Sequence, residues 1–203
     1  MSDTREHILH TSFKLFLQKN FKEVTMKEIV EHTGLSKGAF YHYFTSKEQV
    51  FEEVLNHFFA DFMQLNFESY SHNSLKEFCD DYVKDMERKF KSAAKLTDEK
   101  EAVFTINHYF LIFDGMKMLP SYKEKLLAHN QEELKSWKKI VRIARKNGEI
   151  KATMTDEYIA KLFIYISDGF GINKIMNETL NHFDTQKHEI IALWKGLYEL
   201  LTK

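Results

Sequence analysis

The chain has 203 residues, enough for a substantial core in one larger domain or two small ones. With 18 Phe against 7 Gly and 1 Pro, it favours helices packed by aromatic rings over a turn-rich β architecture. A net charge of −1 excludes a polycation, and a single cysteine, Cys79, excludes a disulfide framework or a cysteine zinc site.

The opening MSDTREHILH lacks the apolar stretch of a signal peptide, and the apolar run at residues 109–113 is far too short to span a bilayer. A cytoplasmic protein is expected, with no membrane partner. Residues 4–19 have the period of a first helix through Ile8, Ser12, Leu15 and Phe16.

The next segment, TMKEIVEHTGLSKGAFYHYFTSK at residues 25–47, carries the most information. Thr25 is placed to cap a helix, with Glu28 three residues on completing a capping box. Gly34 stands where that helix must end with positive φ, which costs glycine little. Ser36 then caps a second helix over residues 37–44. Two helices joined by a short glycine turn form the unit that presents a helix to the major groove of DNA. At about 100° per residue, Phe40 and Phe44 point inward together, whereas Gly38, Tyr41 and His42 point away. Lys37 lies in the exposed first turn, and Gly38 permits close approach to a groove floor. Residues 1–50 hold seven basic and six acidic residues, so any DNA contact relies on local placement of a few cations.

Residues 5–50 resemble the N-terminal domain of the tetracycline-repressor (TetR) family of bacterial transcription regulators. The resemblance is carried by Ile8, Leu15-Phe16, Phe21, Thr25, Ile29, the run Gly34 to Gly38, Tyr41, Tyr43-Phe44 and Ser46-Lys47-Glu48. It departs at Ser12, where the family has alanine, and at Asn20, where it has glycine. The resemblance implies phosphate contacts by Thr25, Tyr41, His42 and Lys47. It implies base approach by Lys37 and Gly38, with Ser36 in the same DNA-facing set. It also implies a palindromic double-stranded operator, a homodimer and a small, mainly apolar effector.

A fourth helix opens at Ser46, only two residues after the second ends, so its tilt would reach the DNA-facing element directly. Further helices are expected over residues 74–92, from Asp98 to Gly115, from Pro120 to Asn147-Gly148, from Thr155 to about Met176 and from Asp184 onward. No period-2 strand is evident, so the expected fold is all-α with about nine helices. The expected division is a helix-turn-helix domain at residues 1–47 and a helical effector and dimerisation domain at 48–203.

The last two helices are apolar around more than one face, and a second subunit is the simplest cover for the surplus. Phe163, Gly169, Phe170, Trp194, Leu197 and Leu201 are the expected interface residues. Phe62, Phe104, His108, Phe113 and Trp137 are the expected pocket residues. Neither a glycine-rich phosphate loop, a GxSxG elbow nor an HExxH helix occurs, which argues against an enzyme. His7 with His10, and His182 with His188, read as solvated histidines, so neither a metal nor another cofactor is expected. The competing reading is a helical small-molecule sensor without operator binding. Retention of Thr25, Lys37, Gly38, Tyr41 and Lys47 together argues against it.

Overall fold

The computed structural model describes residues 3–63, 66–96, 106–177 and 183–203, with side chains omitted at 59–63, 90–96 and 183–186. Among the described residues it is all-α, without a strand: α1 Asp3–Gln18, α2 Met26–Thr33, α3 Lys37–Tyr41, α4 Lys47–Met63, α5 Leu75–Leu96, α6 Ile106–Met118, α7 Pro120–Lys146, α8 Asp156–Met176 and α9 Phe183–Thr202. A short 3-10 turn at Phe67–Ser69 precedes α5. None of these helices is long and apolar enough to cross a membrane.

The chain divides into two compact units, residues 1–63 with 105–126 and residues 64–104 with 127–203. In the first, α1 packs on α2, α4 and α6, and α4 packs on α6. The core is aromatic. Phe13 stacks on Phe58 at 4.1 Å, and Phe51 meets Phe16 and Phe21 at 5.0 and 4.6 Å. Ser12 is fully buried but donates its hydroxyl to the Ile8 carbonyl at 2.7 Å, so this polar departure from alanine leaves no orphaned group.

Gly115 does not stop its helix as the sequence suggested; α6 runs on to Met118. A Cβ at this position would lie 2.6 Å from Leu55 and 2.9 Å from the Tyr122 ring. The glycine thus sets how closely α6 approaches α4. The expected start of this helix at Asp98 and Glu101 lies outside the described residues.

In the second unit α9 packs on α5 and α8. Trp137 lies at the centre, stacked on Phe163 at 5.0 Å and edge-on to Phe78 and Trp194 at 4.8 and 5.4 Å. Helix signals hold at the ends that carry them. Ser74 and Thr155 accept from the Glu77 and Tyr158 amides, Pro120 occupies the first position of α7, and Gly148 ends that helix at φ 74°.

Candidate nucleic-acid interface

The segment expected to face DNA is held by its turns. Thr25 Oγ1 accepts from the Glu28 amide at 3.2 Å and thereby caps α2. Glu28 does not complete the capping box, because its carboxylate pairs instead with Lys19. That ion pair and desolvation act in opposite directions on Glu28, and the pair prevails, holding its pKa below the usual value. Gly34 adopts φ 66° and closes α2 through its amide to the Glu31 carbonyl. Ser36 Oγ accepts from the Ala39 amide at 3.2 Å and starts α3. Both capping hydroxyls use their oxygen as acceptor, which leaves the O–H able to donate to a phosphate.

Helix α3 has only five residues, and its two sides differ sharply. Phe40 and Phe44 are fully buried, whereas Lys37, Gly38, Tyr41 and His42 are all exposed. No atom lies within 4 Å of where a Gly38 Cβ would stand, so the glycine leaves open space on the outer side. The Lys37 ammonium lies 5.9 Å from the Tyr41 ring centre, a cation–π arrangement that keeps both groups on that side. Tyr43 is half-buried with its ring edge against His42.

Lys47 is tied to the scaffold in a way its sequence position did not reveal. Its ammonium donates to the Phe21 and Val24 carbonyls, both at 2.8 Å, and lies 4.4 Å from the Phe21 ring centre. Two of its three N–H donors therefore close the α1–α2 connection, leaving one for a phosphate. The same connection is fixed by Asn20, whose side-chain oxygen accepts from the Lys22 and Glu23 amides. From α6, Asp114 accepts from the Phe21 amide at 3.3 Å. Arg5 pairs with Glu53 and lies over the Phe44 ring, which links α1, α4 and the base of α3.

Of the expected pocket residues, His108 and Phe113 belong to the first unit and Trp137 to the second. His108 is buried with its ring 6.0 Å from Phe13, whereas Phe113, on the same helix, is 56% exposed. Trp137 is enclosed in the aromatic centre of the second unit. Phe104 and the Phe62 side chain lie outside the described residues. A groove of about 270 Å³ does occur in the second unit between α5 and α9, lined by Lys76, Cys79, Val83, Trp194 and Tyr198 among others. Burial pushes the Cys79 thiol well above its ordinary value, as suits a buried, unreactive cysteine.

Of the expected interface residues, Phe163, Phe170, Trp194 and Leu201 face the core of their own protomer. Trp194 donates its indole N–H to the Phe163 carbonyl at 3.1 Å. Gly169 is exposed and Leu197 half-buried. The surface of α8 carries a stripe of which the sequence had indicated Gly169 alone: exposed Tyr158, Tyr165, Gly169, Ile172 and Met176 with half-buried Leu162, spaced alternately by four and three residues. Tyr165 is 62% and Met176 72% exposed, and on α9 Leu193 and Leu200 are also exposed. Helical spacing alone showed too much apolar surface on α8 without telling which stripe faced inward.

A buried polar cluster was likewise invisible. Tyr82 donates to Glu133 Oε1 at 3.0 Å inside the second unit. Desolvation, aided by the like charge of Asp168, pushes the Glu133 pKa up to about 7 despite this hydrogen bond.

Residues 8–54 match the family described as bacterial regulatory proteins, tetR family. The chain is 40% identical over 62 residues to the HTH-type transcriptional repressor NemR of Escherichia coli K12, covering 30% of this chain and 31% of that protein. Across curated relatives matched at 39–48% identity, the aligned stretch spans less than a third of their length. Among solved structures, a TetR family transcriptional regulator from Pseudomonas syringae pv. tomato has a TM-score of 0.61 at 16% identity, over 99% of this chain and 96% of that one. AibR in complex with isovaleryl coenzyme A and operator DNA has a TM-score of 0.54 at 15% identity, over 81% and 83%. At these identities the structural likeness establishes the fold.

Proposed function

Through residues 8–54 this chain belongs to the tetR family of bacterial regulatory proteins, and we propose that it is a homodimeric repressor of transcription that reads a palindromic operator. The observation that carries the reading is the short α3, closed underneath by Phe40 and Phe44 and open outside around Gly38. Lys37 and Gly38 approach base edges, while Thr25, Ser36, Tyr41, His42 and the remaining Lys47 donor hold phosphates. The repressor name borne by NemR supports the sign of regulation. The DNA-binding function is assigned to residues 1–47, and dimerisation and effector binding to residues 48–203.

Twofold pairing is assigned to the exposed α8 stripe with Leu193, Leu197 and Leu200. A run of exposed apolar side chains of this kind needs cover, and a symmetric partner supplies the same stripe in return. Gly169 would admit close backbone approach there. Half-site centres are then expected one helical turn, ~34 Å, or a multiple of it apart.

Release is assigned to a small, mainly apolar effector, with His108 on α6 as a polar contact. The AibR complex offers a precedent for a ligand and operator DNA on this fold. Helix α6 is a suitable lever within the first unit: Asp114 accepts from the Phe21 amide, and Gly115 packs against Leu55 of α4. A ligand can weaken operator binding only as far as it prefers the off-operator conformation. Selection of duplexes from a random pool tests the central reading. A twofold-symmetric consensus is expected, and a pool that yields none at any salt concentration refutes it.

A further inference from the structure

We propose that Glu6, His10 and His57 form a binding site for a divalent transition-metal ion of the zinc and cobalt class, bridging α1 and α4. Glu6 and His10 are four residues apart on α1 and therefore share a face. His57 comes from α4, which packs on α1. The ligand atoms of all three side chains lie within 4.8 Å of one another. The sequence had paired His10 with His7, its near neighbour, whereas the fold brings His57 to it from 47 positions away.

The chemistry of the set selects the ion. Two imidazoles and a carboxylate suit a borderline cation better than magnesium or calcium, which take mainly oxygen ligands. Bond lengths of about 2.0–2.2 Å to tetrahedral zinc place neighbouring ligand atoms about 3.3 Å apart, so the three must draw in by at most roughly 1.5 Å. Glu6 is exposed and long enough to make that adjustment by changing rotamer. The two imidazoles are positioned by one ring: the His10 and His57 centroids lie 5.1 and 4.8 Å from Phe58, both edge-on. With three protein ligands a fourth position stays open to water.

The bound ion would pin α1 to α4 beside the existing Arg5–Glu53 pair, bracing the scaffold beneath the DNA-facing helix. Ligation needs neutral imidazoles, so binding releases protons and strengthens as pH rises.

The test uses the full-length protein, freed of metal by chelation, titrated with Co²⁺ and with Zn²⁺. One ion per protomer is expected, with visible cobalt bands of low-symmetry coordination and a melting temperature that rises with metal concentration. His57→Ala and Glu6→Gln should each weaken binding about tenfold or more, the loss seen even for groups that only orient a ligand. Glu6→Gln changes an exposed side chain and keeps the test decisive should His57→Ala fold poorly. His7→Ala should leave the titration unchanged. No binding above that of a histidine-poor control protein, or binding that survives Glu6→Gln or is lost equally in His7→Ala, overturns the proposal. These readouts involve no DNA, so they stand or fall separately from the operator reading.

Discussion

Glu133 gives the second unit a pH dependence that a single substitution should remove. Its carboxyl is buried, hydrogen-bonded to Tyr82, and raised from 4.5 to about 7 mainly by desolvation. In the unfolded chain the same group releases its proton near 4.5, so between these values the folded state binds more protons. Stability from this group is therefore greatest below pH 4.5, falls as pH rises to about 7, and is level above it. At 1.36 kcal/mol for each pH unit between 4.5 and about 7, the full loss is about 3 kcal/mol. Glu133→Gln keeps an acceptor for Tyr82 but carries no charge, so it should not lose stability in this window. The variant should match the wild type near pH 4.5 and exceed it at pH 8. At ~2–4 °C per kcal/mol for a chain of this size, the gain in melting temperature approaches 6–12 °C. Thermal unfolding of both proteins at one protomer concentration from pH 4.5 to 8.5 reads it, the difference between them cancelling the titrating groups not coupled to Glu133. A difference that stays constant with pH, or a variant less stable at pH 8, would refute the burial-driven shift.

Other expectations follow from single contacts. Tyr41→Ala should weaken binding to all duplexes alike and lower the salt dependence, whereas Lys37→Ala should change which duplexes are selected; competition binding at several salt concentrations separates the two. Lys47→Ala removes both bonds to the Phe21 and Val24 carbonyls and should cost about 1–3 kcal/mol in denaturant unfolding, besides lowering DNA affinity. Gly115→Ala should cost about 1–3 kcal/mol by overpacking against Leu55 and Tyr122, and unchanged stability would mean those side chains yield freely. Tyr165→Glu places a charge in the exposed α8 stripe and should yield a folded monomer in sedimentation, while a dimer that persists would move the interface elsewhere.

The legibility of the chain follows the range of the forces involved. Helix ends carried by local hydrogen bonds could be read directly: Thr25, Ser36 and Thr155 cap as their side chains dictate, and Gly34 and Gly148 take positive φ. The inward pair Phe40 and Phe44 was legible because one helical period settles its direction. What depended on contacts between distant segments was not. Glu28 has two partners of comparable appeal, the Thr25 amide and the Lys19 ammonium, and only the fold brings the second within reach. Gly115 looked like a stop because its neighbours Leu55 and Tyr122 come from other helices.

The same distinction separates the two roles of Lys47. By position it belongs to the surface that would meet phosphate, and by contact it belongs to the core beneath. A lysine can serve both because its ammonium has three donors, and the Phe21 and Val24 carbonyls take only two. Its position is thereby fixed before any DNA arrives, so a phosphate contact made with the third would involve less loss of side-chain freedom than one made by a free surface lysine. Lys37, at the outer end of the same site, is exposed and among the described residues is guided by the Tyr41 ring. The fixed lysine would suit a contact that must be the same on every sequence, and the less constrained one a contact that must adapt to the bases it meets.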